Sequence, residues 1–190
     1  MSACVISPDR HVAVVLLAAG RSERFGADKL TASFRGRPLW EWAATAVEEA
    51  GFTNRYIVVS PGSSLALRAG WAQVLNPHAS QGMGTSIAAA TAALSHYERL
   101  LILLGDMPFV EPAHLLRLAE ADGPVFTEHD GNRRGCPAAF PRSSFAELKA
   151  LRSNEGARHL NLAGARCIPP PDPAMLVDLD TAQDFERHSA

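Results

Sequence analysis

The chain has 190 residues, 47% apolar and 20% charged, with a net charge of −2. That composition is the one expected of a soluble globular chain, and the near-neutral charge excludes a broad nucleic-acid-binding face or a basic membrane-facing patch. Cys4, Cys136 and Cys167 form no CxxC pair and the seven histidines show no HExxH spacing, which argues against a disulfide framework or zinc site and for a reducing, cytoplasmic compartment.

The chain alternates strand and helix. Val12–Ala19 is an unbroken apolar run closed by Gly20, as expected for a central parallel strand covered on both faces. It is too short to cross a membrane, and Gly20-Arg21 offers no signal-peptide cleavage site. A helix is predicted from Pro38, a favoured first-turn residue, to just before Gly51. Arg55–Ser60 follows as a strand, then a short helix over Leu65–Gly70 and a strand near Gln73–Leu75. Helices at Gly84–His96 and Pro112–Asp122 flank a buried strand at Leu100–Leu104. Pro124–Thr127 and Ala138–Phe140 read as strands around a turn at Asp130-Gly131-Asn132. Further helices are predicted at Ser143–Leu151 and Glu155–Leu162, a strand near Met175–Val177, and a last helix from Thr181. The pattern predicts one α/β domain over residues 1–190, a Rossmann-like three-layer α/β/α sandwich with a mostly parallel sheet and an antiparallel strand after Pro124.

Four segments fall at strand ends, where open α/β sheets bind ligands. In the loop Leu17 to Lys29, opened by Leu17-Ala18-Ala19-Gly20-Arg21-Ser22, small residues let backbone N–H groups approach an anion, and Arg21, Arg24 and Lys29 add positive charge along a polyphosphate. It is neither a P-loop nor GxGxxG, and the alternative is an arginine-bearing surface loop. With 16 arginines and only two lysines in the chain, a lysine at position 29 indicates a need for a compact ammonium. Asp106, in Gly105-Asp106-Met107-Pro108, is placed either to hold Mg²⁺ or to close a turn. Asp178 and Asp180 alternate onto one face of a strand end, as further metal ligands or, for Asp180 with Thr181, as a helix cap. In Asn76–Ile87, Gly82 and Gly84 leave room for a base or ribose, with Ser86 or Thr85 as donors; the alternative is a loop and N-cap.

Together these segments resemble the MobA-like NTP transferase family, in particular its molybdenum cofactor cytidylyltransferase branch. LAAGRSERFGADKL is similar to that family's LAAGxSxRxGxxK loop, GDMP to its metal-binding element, and NPHASQGMGTSI to its nucleotide-contacting stretch. Gly135-Cys136-Pro137 resembles its G-H-P element with cysteine for histidine, Gly156-Ala157-Arg158 its GAR, and LDLDTAQDF its closing D-x-DTPxD with Ala182 for proline. The resemblance implies Mg²⁺-dependent transfer of CMP from CTP to the terminal phosphate of molybdopterin, with release of pyrophosphate. It implies Lys29, Arg24 and Asp106 as catalytic residues and Leu17–Ser22, Lys29, Asn76, Gly82, Ser86 and Asp106 as the nucleotide site. Gly135, Cys136 and Pro137 become the acceptor site, and Asp106, Asp178 and Asp180 the metal ligands. Ala19, where guanylyl-transferring relatives carry glycine, points to a pyrimidine. Other readings are a GTP-using guanylyltransferase, a nucleotidyltransferase for another small phosphate, and a non-catalytic chaperone delivering molybdopterin to a client molybdoenzyme.

Overall fold

The computed structural model describes residues 11–20, 28–131 and 133–188. Its backbone is a seven-stranded sheet in the order β5-β4-β1-β6-β8-β7-β9. β1 (Val12–Leu17) is central, parallel to β4 (Arg55–Val59) on one side and to β6 (Arg99–Leu104) on the other. β5 (Trp71–Leu75) extends the sheet parallel to β4. β8 (Arg133–Pro141) runs antiparallel to β6 and to β7 (Val125–His129), which supplies the expected antiparallel strand. A short outer strand, β9 (Arg166–Ile168), pairs in parallel with β7.

All six residues of β1 are buried, because both faces of the sheet are covered. Period-two alternation sends Val12, Val14 and Leu16 into one core and Ala13, Val15 and Leu17 into the other. The first core is closed by α1 (Trp40–Glu49), α3 (Pro112–Glu120) and α5 (Ala182–His188) through Trp40, Val47, Leu115, Leu118 and Phe185. The second is closed by α2 (Met83–Ala93) and α4 (Phe145–Ala150) through Ile87, Ala90, Phe145 and Leu148. This is the three-layer α/β/α arrangement. Among the described residues no helix is long and apolar enough to cross a membrane.

Several expected elements take another form. Pro38 does not open α1; it closes a two-residue hairpin, β2 (Ser33–Phe34) against β3 (Arg37–Pro38), and the helix starts at Trp40. Residues 65–70 form no helix. Only Leu65 of them is buried, and the Arg68 guanidinium ties the segment to α1 through Thr45 at 3.0 Å and Glu48 at 2.7 Å. The expected helix over Glu155–Leu162 is a single 3-10 turn, Ala157–His159. Ala157 and Leu162 both reach the second core but stand five residues apart, off the spacing of one helical face. The expected strand at Met175–Val177 is a 3-10 turn, Pro173–Leu176, started by a proline and by Asp172 accepting the Ala174 N–H at 2.8 Å.

Candidate active site

β1 and β6 lie side by side, and the chain leaves their ends toward opposite edges of the sheet, the position at which an α/β sheet opens a ligand crevice. The Gly105 N–H donates to the Leu17 carbonyl at 3.1 Å, joining the two strand ends. A Cβ at 105 would come within 3.2 Å of Leu30, so glycine lets Leu30 close over the junction.

Three distant segments meet there. Lys29 stands in a 3-10 turn, Lys29–Thr31, and its side chain is buried. Its ammonium donates to Asp106 Oδ2 at 2.8 Å and to Asp180 Oδ1 at 2.7 Å. Burial alone would lower its pKa, but the charges and hydrogen bonds of the two carboxylates outweigh burial and hold it above its ordinary value. The closing segment is fixed by the Leu179 N–H, which donates to the Asp106 carbonyl at 3.2 Å while the Leu179 side chain is fully buried. Thr181, not Asp180, caps α5: its Oγ1 accepts the Asp184 N–H at 3.2 Å, and Asp184 Oδ2 accepts the Thr181 N–H at 2.9 Å. Asp180 is thereby left to Lys29.

Asp178 and Asp180 do not share one strand face as expected, because the segment is not a strand. Asp180 lines one cavity and Asp178 its neighbour. Asp178 is open to its cavity, yet burial of the carboxyl in the concave wall, with the Asp106 and Asp180 charges beside it, pushes its pKa up to about 7. Asp106 Oδ1 is buried without a hydrogen-bond partner among the described residues. The described acidic groups at the junction are therefore three carboxyls, Asp106, Asp178 and Asp180, against the single Lys29 ammonium, an arrangement that repels polyphosphate unless a cation intervenes. No cluster of three or more His, Cys, Asp or Glu side chains arranged to hold a metal occurs among the described residues. One or two carboxylates completed by substrate phosphates is the usual donor set for Mg²⁺, and the orphaned Asp106 oxygen and the crowded Asp178 carboxyl fit it.

The first cavity, about 450 Å³, is lined by Leu17, Ala19, Gly20, Lys29, Asp106, Asp180 and, at the N-terminus of α2, Gly82 and Ser86. Ala18 points instead into the first core. Arg21, Ser22 and Arg24, like Cys4, lie outside the described residues. Asn76 is buried beneath the cavity rather than in its wall. Its amide donates to Thr85 Oγ1 and Ser86 Oγ, both at 2.9 Å, and accepts from the His78 N–H at 2.9 Å. Thr85 is further committed to the Gly82 carbonyl at 2.8 Å, whereas Ser86, oriented by Asn76, keeps its proton for the cavity. Gly82 and Gly84 also meet protein closely. A Cβ at Gly84 would stand 2.7 Å from the Arg152 and Glu155 carbonyls, and one at Gly82 2.6 Å from the Asn154 nitrogen. The glycines admit the 152–155 backbone.

The second cavity, about 620 Å³, opens between β7, β8 and the 154–159 loop. Gly135 and Cys136 line it with Asp178, whereas Pro137 turns its carbonyl to Thr127 Oγ1, 2.7 Å away. Burial, with Asp178 and Asp106 nearby, pushes the Cys136 thiol up to about 12, which keeps it protonated at neutral pH. Arg133, Arg134 and Arg158 make the wall cationic, and His129 and His159 line it beside them. Of these, only Arg158 belonged to a motif legible in the sequence; the others lacked spacing that marks them.

A family model described as MobA-like NTP transferase domain matches residues 14–166. The chain is 33% identical over 120 residues to the bifunctional protein GlmU of Geobacter metallireducens, covering 59% of this chain and 25% of that one. It is 32% identical over 104 residues to a molybdenum cofactor guanylyltransferase of Xanthomonas euvesicatoria, covering 55% and 51%. The match thus spans a quarter and a half of the lengths of these two relatives. With the purine catabolism protein PucB of Bacillus subtilis it is 24% identical over 190 residues, 90% and 93% of the two chains. Among solved structures, Rv0371c of Mycobacterium tuberculosis superposes with a TM-score of 0.76 at 25% identity, over 94% of this chain and 97% of that one. The same protein in complex with manganese gives 0.73 at 24% identity, over 95% and 98%.

Proposed function

The chain belongs to the MobA-like NTP transferase family and is a nucleotidyltransferase, and from that premise we propose that it moves CMP from CTP to the terminal phosphate of molybdopterin, releasing pyrophosphate. The observation that carries the reading is the meeting of two cavities, one at the β1 strand end with Lys29 in its wall and one walled by Arg133, Arg134 and Arg158. A nucleoside triphosphate in the first cavity and an anionic acceptor in the second face each other across the Asp106 junction.

In that reading an acceptor phosphate oxygen attacks the α-phosphorus, the bond to the β-phosphate oxygen breaks, and its electron pair leaves with pyrophosphate. The attacking group is already an anion, so no side chain has to take a proton. His129 and His159 in the second cavity wall hydrogen-bond to the Cys136 carbonyl and to Arg158 respectively, not to Asp178. Lys29, held by Asp106 and Asp180, places one ammonium against the phosphates. The N-terminus of α2 and the Ser86 hydroxyl orient the nucleotide. Asp106 and Asp178 are the residues that would hold Mg²⁺, and the manganese complex of the Rv0371c relative supports a divalent cation. When bound, that ion supplies charge neutralisation of the triphosphate. Arg134 and Arg158 attract the anionic acceptor.

The base assignment rests on Ala19, a residue of the first cavity wall where guanylyl-transferring members carry glycine. The guanylyltransferase relative favours GTP as the second reading. Pyrophosphate release with molybdopterin, Mg²⁺ and each NTP in turn separates them. CTP turnover well above GTP is expected; equal turnover removes the pyrimidine assignment, and no release with any NTP removes the acceptor.

A further inference from the structure

We infer that Asn154 is a catalytic residue whose carboxamide hydrogen-bonds the α-phosphate at the point where the two cavities meet; the inference rests on the nucleotidyl-transfer reading above. For transfer to occur, an acceptor oxygen in one cavity must reach the α-phosphorus of a nucleotide in the other. The reacting phosphorus therefore sits at the shared wall. Three side chains line both cavities: Met83, Leu104 and Asn154. Two are apolar. Asn154 alone offers hydrogen-bonding groups.

Nothing else in the described structure employs that carboxamide, since no described residue hydrogen-bonds to it, and the residue is exposed to the cavities. Its backbone, by contrast, is held firmly. The Gly84 N–H donates to the Ser153 carbonyl at 2.9 Å, and the Arg152 guanidinium ties the loop to α4 through the Lys149 carbonyl at 2.8 Å. Ser153 takes a left-handed φ of 45°, a conformation that costs a non-glycine residue about 1 kcal/mol or more and persists only when its surroundings impose it. Gly82, at φ 120°, lies directly under the Asn154 carboxamide, whose Oδ1 a Cβ there would overlap. Two glycines at the start of α2 thus press one polar side chain against the seam between the subsites.

A neutral amide suits that place. It donates to a non-bridging α-oxygen without adding a charge that would fix the phosphates in their ground-state positions. As the acceptor oxygen bonds to the α-phosphorus and the bond to the β-phosphate oxygen breaks, no proton changes hands. The amide N–H groups remain on the α-oxygen as pyrophosphate leaves.

The test compares wild type, Asn154→Ala and Glu155→Ala, the last a neighbour on the same loop whose side chain lines neither cavity. Titration of CTP and of GTP with Mg²⁺ by calorimetry is expected to show Asn154→Ala binding the preferred nucleotide about tenfold more weakly, the loss typical of one hydrogen bond to a charged group. Single-turnover pyrophosphate release with molybdopterin is expected to fall by about a hundredfold. Tm should be unchanged, and Glu155→Ala should match wild type throughout. Wild-type binding and turnover in Asn154→Ala would overturn the inference, as would an equal loss in Glu155→Ala. If the wild type itself releases no pyrophosphate with molybdopterin, the acceptor reading fails instead. The nucleotide titration then decides alone: weakened binding in Asn154→Ala sustains the contact, and unchanged binding rejects it.

Discussion

Lys29 and Asp106, 77 residues apart in sequence, are joined by a 2.8 Å hydrogen bond from the ammonium to Oδ2 at the crevice between β1 and β6. A second bond, to Asp180 at 2.7 Å, sets the buried ammonium between two carboxylates. A guanidinium is planar and longer, and it cannot place a point charge between those two carboxylates. Lys29→Met and Lys29→Arg are both expected to lower pyrophosphate release by about a hundredfold, with arginine giving no rescue. Steady-state kinetics on the pair, read against wild type, checks this; an arginine variant retaining near-normal rate contradicts the geometric requirement.

Asp106→Asn keeps shape and the Lys29 contact but removes the negative charge and the metal-binding capacity of the orphaned Oδ1. The expected outcome is loss of more than a hundredfold in turnover with Tm within a few degrees of wild type. Calorimetric melting alongside the pyrophosphate assay distinguishes this from unfolding. Raising the Mg²⁺ or Mn²⁺ concentration should partly restore the rate if Asp178 still binds the ion.

Much of this arrangement was legible in the sequence, and the limits of legibility are physical. β1 and β6 announced themselves because a strand covered on both faces is an unbroken apolar run, and Asp106 followed directly from the end of β6. β9 did not, since Arg-Cys-Ile is three residues at a sheet edge without alternation. The hairpin Ser33–Pro38 is too short to carry a pattern, so Pro38 read as a helix start. The protein contacts of Asn76 and Gly82 were not legible for a shared reason: the groups they meet, Ser86 Oγ and the Asn154 carboxamide, come to them only in the fold. The partnership of Lys29 with Asp180 spans 151 residues, and no local signal encodes it.

His114 gives a stability prediction. It is fully buried on the inner face of α3, and burial, with Arg117 nearby, lowers its pKa from 6.5 to about 4. Its Nε2 lies 2.8 Å from Thr127 Oγ1, and that hydroxyl donates its one proton to the Pro137 carbonyl, so His114 is the neutral Nε2–H tautomer. Between about pH 4 and 6.5 the unfolded chain binds a proton that the folded chain refuses. Stability should therefore fall as pH drops through that window, by on the order of 3 kcal/mol in full. Urea titrations of wild type and His114→Gln from pH 7 to 4 read the slope. The variant should lose most of this contribution, and an identical slope in both proteins would assign the acid sensitivity elsewhere.

Gly82→Ala tests the seat of the 152–155 loop. At φ 120° any side chain is strained, and the new methyl would overlap the Asn154 carboxamide and stand 2.5 Å from the Ser153 carbonyl carbon. A destabilisation of about 2 kcal/mol is expected, with nucleotide affinity falling as the loop is displaced. Denaturant unfolding and nucleotide titration of the same preparation measure both. Unchanged values would mean that the loop does not depend on the glycine.

The most direct measurement follows the α-phosphate itself. With CTP labelled at the α-phosphorus, molybdopterin and Mg²⁺, the account predicts one equivalent of pyrophosphate for each equivalent of label joined to the acceptor, and neither product in Asp106→Ala. Pyrophosphate without labelled acceptor, or label transfer undiminished in Asp106→Ala, would contradict it.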